Sequence, residues 1–456
     1  MAFRARRRSL TSILPFVARS TPPEAENGDL WSNADFRHLW MAESISQFGS
    51  HITPVAIPLL AALSLGASPL QMGLLAAASG IPVLLIGLLA GAWVDRLRRK
   101  PLMLITDLGR ALTLLAIPVA SWLDRFSVPL LIVVSLLVGA QTVLFNAAYV
   151  SILPSLVRRD QLADANGKLY ASMSVAQVAG PALAGSLVGW LTAPVVIAFN
   201  ALTYLGSGAC IRGISHDERQ ERDGMPRDRL WREVMTGFRA LFGSPVLRAL
   251  ALSSATINLA GWVFLAVYVL YMTDTLGLTS AGVGLVFAAG GAGSLVGSVT
   301  SGRLGRRFGV GRTIMWSAIL FGAFGLAVPV AILVPTIALP MVILAEFLQW
   351  LTLVVFNVLA LSLRQTRTPN RLLGRVSASN QVLAQGMMPI GSLLGGIIGS
   401  AWGVQAALLV GVGGMFLAAG WVIWSPVRSI VTLTGAEDDG GSERPVVEDR
   451  RLTVNH

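Results

Sequence analysis

The sequence predicts an all-α membrane protein with twelve transmembrane helices in two pseudo-symmetric six-helix bundles. Three observations carry this. First, the 456 residues are 54% apolar and only 13% charged, where a soluble domain carries about 25% charged residues, so much of the surface faces lipid. Second, apolar runs of roughly 20 residues, enough to cross a bilayer as a helix, alternate with short loops. Third, landmarks in the first half recur in the second at nearly constant offset.

Taken in order, spans are expected over 38–63, 71–93, 102–122, 129–151, 168–190 and 194–213, and again over 247–271, 281–303, 313–334, 338–362, 376–399 and 404–425. The loops orient them. One alternate set holds Arg96, Arg98, Arg99 and Lys100, then Arg158 and Arg159, then Arg303, Arg306 and Arg307, then Arg364, Arg367, Arg371 and Arg375; the opposite set holds Arg125 alone. Basic loops stay cytoplasmic, so both termini are expected in the cytoplasm and the span number is even. The domains read as a tail over 1–34, a bundle over 35–213, a linker over 214–245, a bundle over 246–426 and a tail over 427–456.

Phe36 and Leu39 match Leu247 and Leu250, Phe145-Asn146 matches Phe356-Asn357, and Gly91 matches Gly302, each 211 residues on; Gln177 and Pro181 match Gln385 and Pro389 at 208. Four ordered matches argue for duplication. Repeats of this kind place a substrate site between the halves near the midplane. In the linker, Trp231, Val234, Phe238 and Leu241 share a helical face. Two readings fit: an amphipathic helix on the membrane surface, or a solvated connector.

The charge balance is 35 basic against 24 acidic residues, a net +11. The excess lies in loops and tails, which points to anionic lipid rather than nucleic acid. The single cysteine, Cys210, excludes an internal disulfide and reads as a small hydrophobe. Apart from Lys100 and Lys168 every basic side chain is arginine. The arginine-rich start has no cleavable signal after it, since Pro15 breaks a short apolar stretch.

The chain resembles the major facilitator superfamily of secondary transporters over roughly 35–426. Gly91-x-x-x-Asp95-Arg96-x-x-Arg99-Lys100 is similar to its loop motif between spans 2 and 3. Ala176-x-x-x-Gly180-Pro181-x-x-Ala184-Gly185 is similar to the antiporter motif of its drug exporters. Phe36-Arg37-x-Leu39-Trp40 with Ile45-Ser46, Leu162-Ala163-x-Ala165-Asn166, and Thr368-Pro369 with Gly374-Arg375-Val376 resemble the macrolide-efflux and enterobactin-exporter branch. Two departures stand out. Arg98 replaces the loop motif's usual glycine, and the second copy has Arg306 where the first has Asp95. The resemblance implies the major facilitator fold, alternating access, a cavity lined by spans 1, 4, 7 and 10, and a cytoplasmic latch at Asp95.

Polar residues inside spans are costly and usually functional. Glu43, Gln47 and His51 lie along one face of span 1, before Pro54 and Pro58. Span 4 offers Thr142, Asn146 and Tyr149, span 7 offers Ser254 and Asn258, and span 10 offers Glu346, Gln349 and Asn357. Glu346 lies about 12 Å into its span, at 1.5 Å per residue. Proton coupling is expected at Glu346, with His51 and Glu43 as further candidates; packing roles compete at each, and Glu43 has water or Arg37 as an alternative partner. Gln47, Thr142, Asn146, Tyr149, Ser254, Asn258, Gln349 and Asn357 are expected to line the cavity. Gly91, Asp95, Arg96, Arg99, Asp107 and Arg110 form an expected gating group, with helix capping the competing role for Asp107.

Glycines recur at 73, 80 and 87 on span 2, at 391, 395 and 399 on span 11, and at 290, 293 and 297 on span 8; Ala176, Gly180 and Ala184 stripe span 5. Small residues let helices approach closely in lipid. The resemblance pairs span 2 with 11 and span 5 with 8, so these stripes are expected at the contacts between halves, with ordinary packing as the alternative. Pro181 is expected to bend span 5.

Catalysis finds no support. Ser50 and His51 are adjacent, so their side chains diverge on a helix, and no third triad member is evident. Four scattered histidines and one cysteine give no zinc spacing. No phosphate-binding Gly-x-x-x-x-Gly-Lys-Ser/Thr run exists, so neither cofactor nor ATP is expected. The expectation is a bacterial inner-membrane exporter of amphipathic small molecules (drugs, siderophores or secondary metabolites), monomeric and driven by proton antiport. Lysophospholipid flipping, symport uptake, or a non-transporting sensor or scaffold are the alternatives.

Overall fold

The computed structural model describes residues 30–94, 97–215 and 227–432. Among the described residues, twelve helices are long and apolar enough to cross a membrane. They are α1 (Ala34–Leu65), α2 (Pro69–Val94), α3 (Arg99–Trp122), α4 (Val128–Leu156), α5 (Leu162–Trp190), α6 (Ala193–Arg212), α8 (Pro245–Leu270), α9 (Ser280–Phe308), α10 (Val310–Val330), α11 (Ala338–Thr366), α12 (Asn370–Trp402) and α13 (Val404–Ile423). The linker helix α7 (Arg227–Gly243) separates the halves.

Local chemistry sets the ends. Asn33 caps α1 by accepting from the Phe36 amide at 3.1 Å, as a short polar side chain does at a helix start. Its own amide donates to the Leu156 carbonyl at 2.8 Å, tying α1 to the end of α4. Gly66 ends α1 with φ of 55°, a left-handed cap that costs glycine little. Leu30, within the expected tail, is buried. Pro54, Pro58 and Pro181 sit inside continuous helices.

The packing repeats as the sequence does. In the first half α1 packs on α5 and α6, α2 on α4, and α3 on α4 and α6. In the second, α8 packs on α12 and α13, α9 on α11, and α10 on α11 and α13. Each pair maps to its counterpart by advancing seven helices. The main contacts between halves, α2 with α12 and α5 with α9, exchange under the same rule. Matched landmarks share environments too: Phe145 and Phe356 are both buried, and Asn146 and Asn357 are both exposed.

Two expectations are corrected. The linker helix does not simply lie on the membrane: Leu241 and Phe238 pack with Leu247, Ala251 and Val376, and a Cβ at Gly237 would stand 2.3 Å from the Arg375 carbonyl. The helix is seated on α12, because its apolar face finds a protein neighbour. The side chains of Trp231 and Val234 lie outside the described residues. Most glycines of the span 8 and span 11 stripes also face other partners. A Cβ at Gly391 or Gly395 would meet the Leu259 or Val263 carbonyl of α8, at 2.4 and 2.3 Å; at Gly293 or Gly297 it would meet α11 backbone, at 2.0 and 2.6 Å. These positions pack helices within one half.

Candidate functional site

The halves meet through Gly73 and Gly80 of the expected span 2 stripe and through small residues that the stripes did not include. A Cβ at Gly73 on α2 would stand 2.6 Å from the Ser392 carbonyl and 2.7 Å from Gly396 Cα on α12. One at Gly284 on α9 would stand 2.7 Å from the Pro181 carbonyl and 2.8 Å from Gly185 Cα on α5, and one at Gly291 would stand 2.6 Å from the Gln177 carbonyl. Gly73 and Gly284 lie toward the end of the molecule where α1 finishes and α2 starts. Toward the opposite end, which carries Ala34 and the linker, a Cβ at Gly87, Gly167 or Gly374 would meet nothing within 4 Å. The bundles are thus clamped at the end away from the linker.

The antiporter motif is buried throughout, and its residues divide between two neighbours. Gly180 lies against His51, whose Cβ would be 2.7 Å from an added Cβ. Pro181 and Gly185 lie against α9. His51 is therefore a packing partner of span 5.

A cavity of about 290 Å³ opens in the second half. Glu346, Gln349 and Asn357 of α11 line it with Asn258 of α8. Ser254, buried one turn before Asn258, accepts from the Asn258 amide on its carbonyl at 2.9 Å. Half of the remaining lining residues are aromatic: Trp262, Phe264 and Tyr268 of α8, Phe321 of α10 and Trp350 of α11. Sequence reasoning missed these five. Trp350 was within reach, one turn after Glu346 on the same helix; Tyr268 required knowing how α8 meets α11.

Glu346 is 3% exposed. The Tyr268 hydroxyl donates to Oε2 at 2.9 Å and the Trp350 indole N–H donates to Oε1 at 2.8 Å. Among the described residues it forms no ion pair. The two donors differ in kind: an indole N–H only donates, whereas a phenol donates or accepts. Oε1 is therefore committed as an acceptor, and a proton on this carboxyl belongs on Oε2, with Tyr268 turning from donor to acceptor.

The first half places its candidates elsewhere. Gln47 donates to Glu43 Oε1 at 2.6 Å. Glu43 is buried and does not meet Arg37, which donates to the Trp31 and Ser32 carbonyls at 2.5 and 3.1 Å. Thr142 donates to its own helix at 2.8 Å, Asn146 is exposed and Tyr149 half-buried.

The gating group is split. Asp95 and Arg96 lie outside the described residues. Gly91 is helical near the end of α2, and Arg99 opens α3. Asp107 caps nothing: it sits in the third turn of α3 and pairs with Arg110, both fully buried.

The fold and the cavity define a two-bundle, twelve-span membrane transporter rather than an enzyme. The chain belongs to the Transmembrane secretion effector family of the major facilitator superfamily, whose pattern it matches over residues 30–446. An MFS-type transporter of Sinorhizobium fredii is 28% identical over 375 residues, covering 79% of this chain and 87% of that protein. The enterobactin exporter EntS of Escherichia coli O1:K1 is 27% identical over 383 residues, covering 83% and 85%. Among solved structures, a bacterial homologue of the iron transporter ferroportin in its inward-facing state superposes with a TM-score of 0.72 at 17% identity, covering 87% of this chain and 99% of that one.

Proposed function

We propose that this protein exports amphipathic small molecules across a bacterial inner membrane by proton antiport, with Glu346 as the group that exchanges the proton. One observation carries the reading: Glu346 is a carboxyl in the wall of a largely aromatic cavity, held by two neutral donors and, among the described residues, by no cation. Intramembrane carboxyls of this kind mark proton relays, because an unpaired buried charge is costly. Substrate and proton then compete for one chamber. The aromatic wall offers area without charge selectivity, and Asn258, Gln349 and Asn357 offer hydrogen bonds, a combination suited to bulky, partly apolar molecules.

With both termini cytoplasmic, as the arginine distribution implies, the clamped end is periplasmic and the conformation faces inward. Substrate enters from the cytoplasm, the bundles rock about the α2–α12 and α5–α9 contacts, and a periplasmic proton displaces the substrate at Glu346. Asp95 with Arg96 and Arg99 latches the cytoplasmic end in the outward-facing state. The relationship to an enterobactin exporter supports efflux over uptake.

The test uses inside-out vesicles carrying the full chain, with an acidified lumen and labelled enterobactin, erythromycin or ethidium outside. Accumulation of any of these that nigericin abolishes supports the reading. Accumulation untouched by nigericin refutes proton antiport.

A further inference from the structure

The first half contains a second buried ionisable cluster, remote from the cavity in the second half. Glu43 of α1, Asp107 and Arg110 of α3 and Ser207 of α6 are each at most 4% exposed. Asp107 pairs with Arg110. Phe145 of α4 and Tyr204 of α6 stack on the guanidinium, with both ring centroids 4.2 Å from its central carbon. Such stacking holds a cation in place. Glu43 lies within electrostatic reach of both Arg110 and Asp107. Around it stand Gln47 of α1 and Tyr149 of α4, with Tyr170 of α5 beyond.

The hydrogen-bond inventory of this cluster does not close. Glu43 Oε2, Asp107 Oδ2, Arg110 Nε and Ser207 Oγ are all buried without a partner. Ser207 approaches the Asp107 carboxyl from α6 without reaching hydrogen-bond geometry. Ser207 can turn its hydroxyl toward Asp107 and Arg110 Nε can only donate, which leaves Glu43 Oε2 as the acceptor without a donor; buried polar atoms are nearly always satisfied, so this oxygen calls for a proton that visits. Two carboxylates against one fixed guanidinium leave one uncompensated negative charge in a buried site, room for one positive charge.

We propose that Glu43 is a second proton-binding site of the protein, with the Asp107–Arg110 pair as its fixed counter-group. Oε1 is occupied by the Gln47 amide, so the proton binds Oε2. With the proton on, Glu43 is neutral beside a neutral ion pair. With the proton off, Arg110 serves both carboxylates. Asp107 and Arg110 are then positioning residues of this site rather than members of the cytoplasmic latch. The assignment goes beyond the role of Glu346 and does not depend on it.

The experiment is pH-induced infrared difference spectroscopy on the full, detergent-purified protein in choline buffer, which needs no substrate. Wild type is expected to show two buried carboxyl bands. Glu43→Gln removes one and leaves the other; Glu346→Gln does the converse. Gln47→Leu, which strips the amide from Oε1, shifts the Glu43 band and serves if Glu43→Gln fails to fold. Two bands persisting in folded Glu43→Gln, or an unshifted spectrum in Gln47→Leu, overturns the proposal. So does a Glu43 band that responds to sodium in place of choline but not to pH, which would assign a cation site. Loss of the Glu346 band alone from this picture would count against antiport through Glu346 and leave the Glu43 site standing.

Discussion

Gly284→Val probes the clamp between the halves. A Cβ at this position would stand 2.7 Å from the Pro181 carbonyl and 2.8 Å from Gly185 Cα. Relaxed non-bonded contacts lie near 3.5–4.0 Å, so α5 and α9 must part by roughly 1 Å. Both obstacles are backbone and no rotamer change relieves them. Overpacking of this kind costs about 1–3 kcal/mol, charged only to the state in which these helices touch. That is about a 5- to 150-fold shift of the conformational equilibrium toward the alternative state. Spin labels at Trp122 and Leu333, both exposed and on opposite halves at the clamped end, report it in a Cys210→Ser background. Electron–electron resonance distances should show a longer component growing at the expense of the short one, with Gly284→Ala intermediate. An unchanged distribution in a folded, membrane-inserted variant would refute the clamp.

Three further outcomes are expected. Tyr268→Phe removes one hydrogen bond to Glu346, about 1 kcal/mol net, and should slow gradient-driven transport about fivefold while exchange of substrate across the membrane at equal pH persists; unaltered coupling would remove Tyr268 from the proton path. Gly237→Leu meets the Arg375 carbonyl and should lift the linker helix off α12, read as faster limited proteolysis within 216–226; protection equal to wild type would contradict the docking. Asp95→Asn should insert normally yet transport at least several-fold more slowly, and transport at the wild-type rate would remove the latch role.

Much of this architecture is legible before any coordinates. Span positions follow from hydrophobic length, and the duplication from Phe145-Asn146 and Phe356-Asn357, because both are one-dimensional signals. The partner of each face is not legible in the same way. Gly391 and Gly395 have the spacing of a sliding contact, yet they seat on α8; a small residue permits close approach without naming the neighbour. The same holds for the linker helix, whose apolar stripe announces burial but not the surface of α12 that supplies it. At the site, the depth of Glu346 is countable along the chain. Its bond to Tyr268 joins two helices 78 positions apart and exists only through tertiary packing. Asp107 misled for a related reason: near a loop in sequence, it lies two turns inward, where burial and Arg110 decide its role.

The central claim is that the bundles carry substrate one way by carrying a proton on Glu346 the other way. Glu346→Gln in inside-out vesicles separates the two. The amide should still exchange labelled substrate across the membrane at equal pH, since the cavity and the rocking contacts are intact, but should lose accumulation driven by an acidic lumen. Gradient-driven accumulation at the wild-type level in that variant would contradict the account.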